Sequence, residues 1–303
     1  KAADAPTAAQ AGTFTQHCLS LAVTTADTSI AAGDYMILVQ VIEGLNAASF
    51  GFGQAGTRYV TLSFWVKGTK TGIHCVQVAN SAGNRSYVAE YTINSTNTWE
   101  YKTITIPVDT TGTWLYDTGI GLNVRFVLMS GTTHHTSSPN TWIAGNPLAT
   151  SNQVNALDST SNTFKIALVQ LEAGSVATTF DARSVGTELA LCQRYFQKSY
   201  NQETALATGS FPAGEVRWQS ANTAIQSAPT IMLPVVMRAT PTLTIYSPSD
   251  GASGNVYNHS TGANVAMTGA DSATVGTRGW SGGSTGFADT HIIGYQYAAT
   301  AEL

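Results

Sequence analysis

Charge is what this 303-residue chain has least of. Only 14 Lys+Arg and 18 Asp+Glu are present, 11% of the residues, where an ordinary soluble chain of this length carries about 75. The net charge of −4 comes with no basic cluster, so the electrostatic footprint of a nucleic-acid binder is missing. Long apolar runs are missing too. The longest, Ile231–Met237, is seven residues and is interrupted by Pro234, far short of the roughly 20 that span a bilayer. No membrane insertion is expected. Cysteine is rare: Cys18, Cys75 and Cys192 are an odd number at wide spacing, which is no disulfide framework, and no Cys-x-x-Cys pair exists for zinc. Each sits in an apolar pattern and reads as a small buried hydrophobe, which fits assembly in a reducing cytoplasm. No acidic loop is dense enough for calcium; Asp27 with Asp34, or Asp109 with Asp117, come nearest. No metal or cofactor is expected.

What fills the vacancy is Thr and Ser, together roughly a fifth to a quarter of the chain. With 43% hydrophobic residues and plentiful aromatic and β-branched side chains, the chain has enough material for a core and does not read as disordered. Residues 1–12 are Ala-rich, lack the apolar centre of a signal peptide, and read as an N-terminal arm or linker.

Period-two alternation dominates the next 170 or so residues. Phe14–Thr24, Asp34–Glu43, Arg58–Lys67, Ile73–Ala79, Ser86–Ile93, Trp99–Ile106, Gly121–Met129 and Thr163–Leu171 all read as strands. In the third, Val60, Leu62, Phe64 and Val66 share one face, and Thr61, Ser63, Trp65 and Lys67 the other. Ile120, Leu122, Val124, Phe126 and Leu128 form a second apolar stripe, with Asn123 and Arg125 opposite. Eight mostly antiparallel strands with one polar face predict a jelly-roll β-sandwich over 13–183. One connection breaks the rhythm: residues 130–162 have no periodicity and include Trp142, so this loop is expected to pack onto something.

After Arg183 the pattern changes. Leu189, Leu191, Cys192, Tyr195 and Phe196 lie at helical spacing, which predicts a helix over Glu188–Ser199 capped by Thr187, within a helical joint at 184–200. Strands are then expected at Glu215–Ser220, Thr230–Met237, Thr242–Tyr246, Val256–Asn258, Ala273–Arg278 and His291–Ala298, making 201–303 a second, smaller β domain. The fold class is all-β with one short helix.

The stretch Phe164–Ser199 contains Val169-Gln170-Leu171-Glu172, Gly174, Ala177-Thr178-x-Phe180, Arg183 and Glu188-Leu189-x-Leu191-Cys192-Gln193-Arg194-Tyr195. It resembles a block found in many bacteriophage virion proteins, tail fibres among them. Tyr59–Val66, Trp99-Glu100, Trp142 and the closing Ala298–Leu303 match further, so the likeness covers most of the chain. Thr179 stands where a Pro is usual and Asp181 where a Glu is usual, which bears on the local turn only. The resemblance implies a virion structural protein with a carbohydrate-binding-like jelly roll, and it implies no catalysis. Glu172, Arg183 and Arg194 read as structural groups of the joint, and Phe180 as a plug at the base of the sandwich.

A pyranose ring offers an apolar face and a rim of hydroxyls, so a sugar site needs an aromatic platform beside hydrogen-bonding side chains. Trp65, with Thr61, Ser63 and Lys67 on its face, meets that description. Trp142 is the second candidate platform, and Asn123 and Arg125 are candidate polar partners. Other motifs carry less. His134-His135 lacks further ligands at metal spacing. Gly282-Gly283-Ser284-Thr285-Gly286 matches Gly-x-Ser-x-Gly but lacks the strand and helix a nucleophile elbow needs. Glu43, Glu90, Glu100 and Glu172 cannot be paired as glycosidase carboxylates.

The expectation is a tail-fibre or tail-knob protein, assembled in the host cytoplasm and carried on the virion. It would contact host-surface glycans without hydrolysing them, beside other virion proteins as partners. Analogy with fibres suggests a homotrimer. The alternatives are a head decoration or head fibre bound to a neighbouring virion protein, and a tailspike-like polysaccharide depolymerase.

Overall fold

The structure, a computed structural model, describes all residues except 14, 221–226, 268–274 and 284–289. It divides into two compact units, Lys1–Ala182 and Arg183–Glu302. The arm therefore belongs to the first unit, and the helix to the second.

Among the described residues, nine strands build the first unit: β1 (Leu19–Ala22), β2 (Tyr35–Glu43), β3 (Tyr59–Gly68), β4 (Gly72–Asn80), β5 (Arg85–Ile93), β6 (Glu100–Pro107), β7 (Ile120–Ser130), β8 (Trp142–Ala144) and β9 (Thr163–Ala173). They form two antiparallel sheets, ordered β1-β9-β3-β6 and β2-β7-β4-β5-β8. Setting aside β8, which belongs to the long connection, this is the eight-strand order of a jelly roll. All eight strands read from the alternation are present. The first is the least accurate: its expected start, Phe14, lies outside the described residues, and the ladder begins at Leu19.

The core lies between the sheets because each strand aims one alternate set of side chains inward. Val60, Leu62, Phe64 and Val66 are fully buried there, facing Leu122, Val124, Phe126 and Leu128 of β7. Phe64 stands edge-on to Tyr91 and Phe126, with ring centroids 5.1 and 5.0 Å apart.

Polar residues on both outer faces are buried, Thr61 and Ser63 on β3 and Gln77 and Asn123 on the second sheet among them, while Tyr101 on the first sheet stays exposed. The long connection lies over the outside of the second sheet. There Leu148 and Ala149 pack on Cys75, Val88 and Val127 as a separate cluster, and β8 extends the sheet by pairing with β5. The arm covers part of the other outer face. Ala2 exchanges backbone hydrogen bonds with Cys18 at 3.0 Å, and a short helical turn, Ala8–Ala11, is closed by a Thr7–Gln10 capping box.

In the second unit the helix is Val185–Gln193, capped by Ser184, whose side chain accepts from Thr187 N–H. The expected helix is thus too late at both ends, because Ser184 takes the cap and Phe196–Lys198 forms strand β10. The strands β11 (Val216–Gln219), β12 (Ser227–Met232), β13 (Thr242–Tyr246), β14 (Asn255–Asn258), β15 (Ala263–Ala266), β16 (Gly279–Gly283) and β17 (Ile292–Thr300) follow. β17 is the axis of this unit and pairs with β10, β11, β13 and β14. Its Ile293, Tyr295 and Ala299 are fully buried, with Trp280 and Val256 beside them. Of the expected strand Ala273–Arg278, residues 273 and 274 lie outside the described residues, and 275–278 form a bridge and turn instead. The Ser of the Gly-x-Ser-x-Gly match, Ser284, also lies outside them. Cys18 and Cys75 are buried as expected, but Cys192 is exposed on the helix.

Candidate functional site

The outer face of the first sheet holds a cleft of about 360 Å³. Its apolar part is Trp65 of β3, Tyr101 of β6, Leu168 of β9 and Phe180; Ser63, Thr178 and Gln10 supply polar groups. The ladder explains the aromatic pair. Trp65 stands opposite Tyr101 in the β3–β6 register, and their rings sit 5.5 Å apart at 40°. Tyr101 is 45% exposed, so this platform is open to solvent.

A β-bulge shapes the other side. Along β9, Gln170 pairs with Ser63 and Ala167 with Trp65, so Leu168 and Val169 together oppose Phe64. Leu168 takes φ = +50°, a left-handed conformation that costs a bulky side chain of order 1–3 kcal/mol. Bulges of this kind re-aim side chains beside sites, and this one carries Leu168 into the cleft.

The third wall is the segment after β9. Gly174, at φ = +125°, turns the chain where a side chain would be strained. Glu172 then receives the Thr178 N–H at 2.8 Å and the Thr178 hydroxyl at 2.6 Å, and Gln170 accepts from Asp181 N–H at 2.8 Å. Burial raises the Glu172 pKa, but the Thr178 and Gln170 hydrogen bonds outweigh it and hold it below the usual carboxylate range. These side chains hold the 177–181 segment in place. Phe180 therefore lines the cleft rather than plugging the sandwich. Arg183 pairs with the half-exposed Glu188 at 3.2 Å.

The arm supplies the last wall through residues 10–12, and one carboxylate fixes it. Asp4 receives Lys165 Nζ at 2.5 Å and Lys67 Nζ and Trp99 Nε1 at 3.2 Å. Lys165 foremost, and then Lys67 and Trp99 against the opposing effect of burial, lower its pKa from 3.8 to about 2. A carboxyl depressed in the folded state contributes stability that is complete above 3.8 and is lost as pH falls through about 2. Pepsin at pH 4 should therefore spare residues 1–12 and trim them below pH 2, whereas Asp4→Asn should be trimmed by a neutral protease at pH 7. Equal resistance in the variant would show that the arm is held by something else.

Of the four side chains expected to bind sugar, the structure brings only Trp65 to this cleft. Trp142 lies elsewhere. It packs in an aromatic cluster with Phe52, Tyr87 and Trp114, ring centroids 5.5–5.7 Å away, and its indole N–H donates to the Pro107 carbonyl at 2.5 Å. Asn123 and Arg125 lie outside the cleft as well. They lie on the outer face of the other sheet, where Arg125 donates to Gln77 and to Asn146 of the long connection at 2.8 Å and the buried Asn123 donates to the Asn80 carbonyl at 3.4 Å. Tyr101 and Phe180 were missed. Tyr101 was within reach, because it alternates with Ile104 and Ile106 on the strand beside Trp65; the partner of Phe180 depends on a long-range fold.

The remaining candidates serve the fold. Asp27 and Asp34 accept local backbone N–H groups, and Asp117 accepts from Gly119. Arg85 grips Asp109 with two hydrogen bonds of 2.6 and 3.0 Å. His134 meets the Gly33 carbonyl at 3.0 Å and His135 the Ser130 carbonyl at 3.2 Å. Among the described residues no three His, Cys, Asp or Glu side chains gather as a metal would need. No protein-family model matches the chain, and no curated protein matches it.

Proposed function

We propose that the chain is a bacteriophage particle protein of the tail-fibre or tail-knob kind, whose first unit holds an uncharged host-surface glycan without hydrolysing it. The observation that carries this is the cleft's composition: an open Trp65–Tyr101 platform beside Ser63, Thr178 and Gln10, with no charged side chain among the described residues of the lining. Aromatic faces take the apolar side of a pyranose, and hydroxyls and amides take its rim. A cleft of about 360 Å³ is at the lower end of small-ligand sites, about one or two sugar rings. The strained Leu168 backbone is a second support, since strain of that kind gathers at ligand sites. Hydrolysis would need two carboxylates across the sugar, and among the described residues neither Asp nor Glu lines this cleft. The tail placement follows the resemblance of the Val169–Tyr195 block.

The test is adsorption of purified protein to host cells and to their isolated polysaccharide. Trp65→Ala and Tyr101→Ala are each expected to lower affinity about tenfold or more, with thermal unfolding recorded to show that the variants are folded. Normal adsorption by both removes the cleft from the proposal. Release of reducing sugar would restore the depolymerase alternative, and antibody labelling confined to the capsid shell would move the protein from tail to head.

A further inference from the structure

A strand at the edge of a sheet presents an open row of N–H and C=O groups, and proteins blunt such edges with shortness, charge, proline or bulges. Three of the four edges of the first unit are blunted. β1 and β8 are four and three residues long. β6 carries the ion pair Lys102–Glu100 and ends in Pro107.

β2 has none of these protections, although the Gln40 side-chain amide already donates to its Val41 carbonyl at 2.7 Å and would have to swing away. It runs nine residues, Tyr-Met-Ile-Leu-Val-Gln-Val-Ile-Glu, at the outer edge of the five-stranded sheet. It contains no proline and no charge before the buried Glu43. Both irregularities in its ladder place the extra residue on β7, at Leu128 and Gly121, so β2 itself stays regular. Tyr35, Met36 and Val39 are nonetheless 52%, 48% and 44% exposed.

We infer that β2 pairs with β2 of a second copy of this chain, antiparallel about a two-fold axis near Val39, and joins the two sheets into one. Strand addition needs a partner edge that is equally long and equally open. Among the described residues of the first unit, β2 is the only such edge. Two-fold pairing about Val39 sets Ile37 opposite Val41 and Met36 opposite Ile42, apolar against apolar, with Leu38 opposite Gln40 and Tyr35 opposite the buried Glu43. No charge in 35–42 opposes its copy, although each chain carries −4 overall. This assembly is two-fold, where analogy with fibres suggested three, and it does not depend on the glycan cleft.

Sedimentation of the full chain over a concentration series tests it. The wild type is expected to reach a dimer. Val39→Lys and Val39→Glu should each raise the dimer dissociation constant about tenfold or more, because like charges then face each other across the axis. Val176→Lys, at a position 75% exposed outside β2, should leave the dimer unchanged. A monomer, a trimer, or a dimer that both Val39 variants leave intact would overturn the inference.

Discussion

Asp109→Ala is expected to lower the unfolding free energy by about 3–5 kcal/mol, the usual result of removing one member of a buried ion pair. The Asp109 side chain is 4% exposed and that of Arg85 21%. Beyond the two Arg85 hydrogen bonds, the carboxylate accepts the Thr111 N–H at 3.1 Å and its hydroxyl at 2.9 Å. Burial raises its pKa, but these bonds more than offset that and leave the carboxyl below its ordinary value. Alanine would strand a largely buried guanidinium and two Thr111 donors together. The damage should spread, because the Asp109 carbonyl also accepts from Gly53 N–H at 2.6 Å and so ties in the turn beside the Phe52–Trp114 stack. Urea unfolding measures it. A loss under about 1 kcal/mol would class the pair with ordinary surface ion pairs.

Phe64→Ala should cost a similar amount, about 3–5 kcal/mol, for a different reason. The ring belongs to one sheet and packs edge-on against Tyr91 and Phe126 of the other. Removing it leaves a cavity between layers that cannot close without moving a whole sheet. Phe64→Leu, which keeps most of the volume, should cost less than about 1.5 kcal/mol. Equal losses in the two variants would mean that the ring contacts matter more than the space. Leu168→Gly supplies a contrast on the bulge: with no side chain at φ = +50°, the backbone strain disappears, while the cleft loses part of its apolar wall.

The strands of the jelly roll were legible because period two is a local property. β3 and β7 needed only alternate apolar residues, and their buried stripes are those that the pattern marks. The sugar-binding candidates were harder for a related reason. Alternation says that Trp65, Asn123 and Arg125 point away from the core, but not what lies on that side. Here the long connection bonds Arg125 through Asn146, Asn123 is buried against Asn80, and the arm only partly closes over Trp65. Trp142 has no periodic neighbours, and its place in an aromatic cluster follows from residues as distant in sequence as Phe52. The helix was misplaced because its residues have apolar spacing without a buried face: Leu189 and Leu191 are 37% and 43% exposed. Spacing therefore extended it into Phe196, which long-range pairing with Thr300 makes a strand.

The long connection over the second sheet has a consequence for how this protein can vary. A bare sandwich offers two outer faces on which substitutions are cheap and new surfaces can be tried. Here Gln77 is fully buried and bonded to Asn146 and the Pro147 carbonyl, so one of those faces obeys the rules of an interior. A change there disturbs two layers at once. Divergence among descendants of this chain would then concentrate on the arm, on the 177–181 segment and on the exposed rim of the Trp65 cleft, while the opposite face stayed nearly constant.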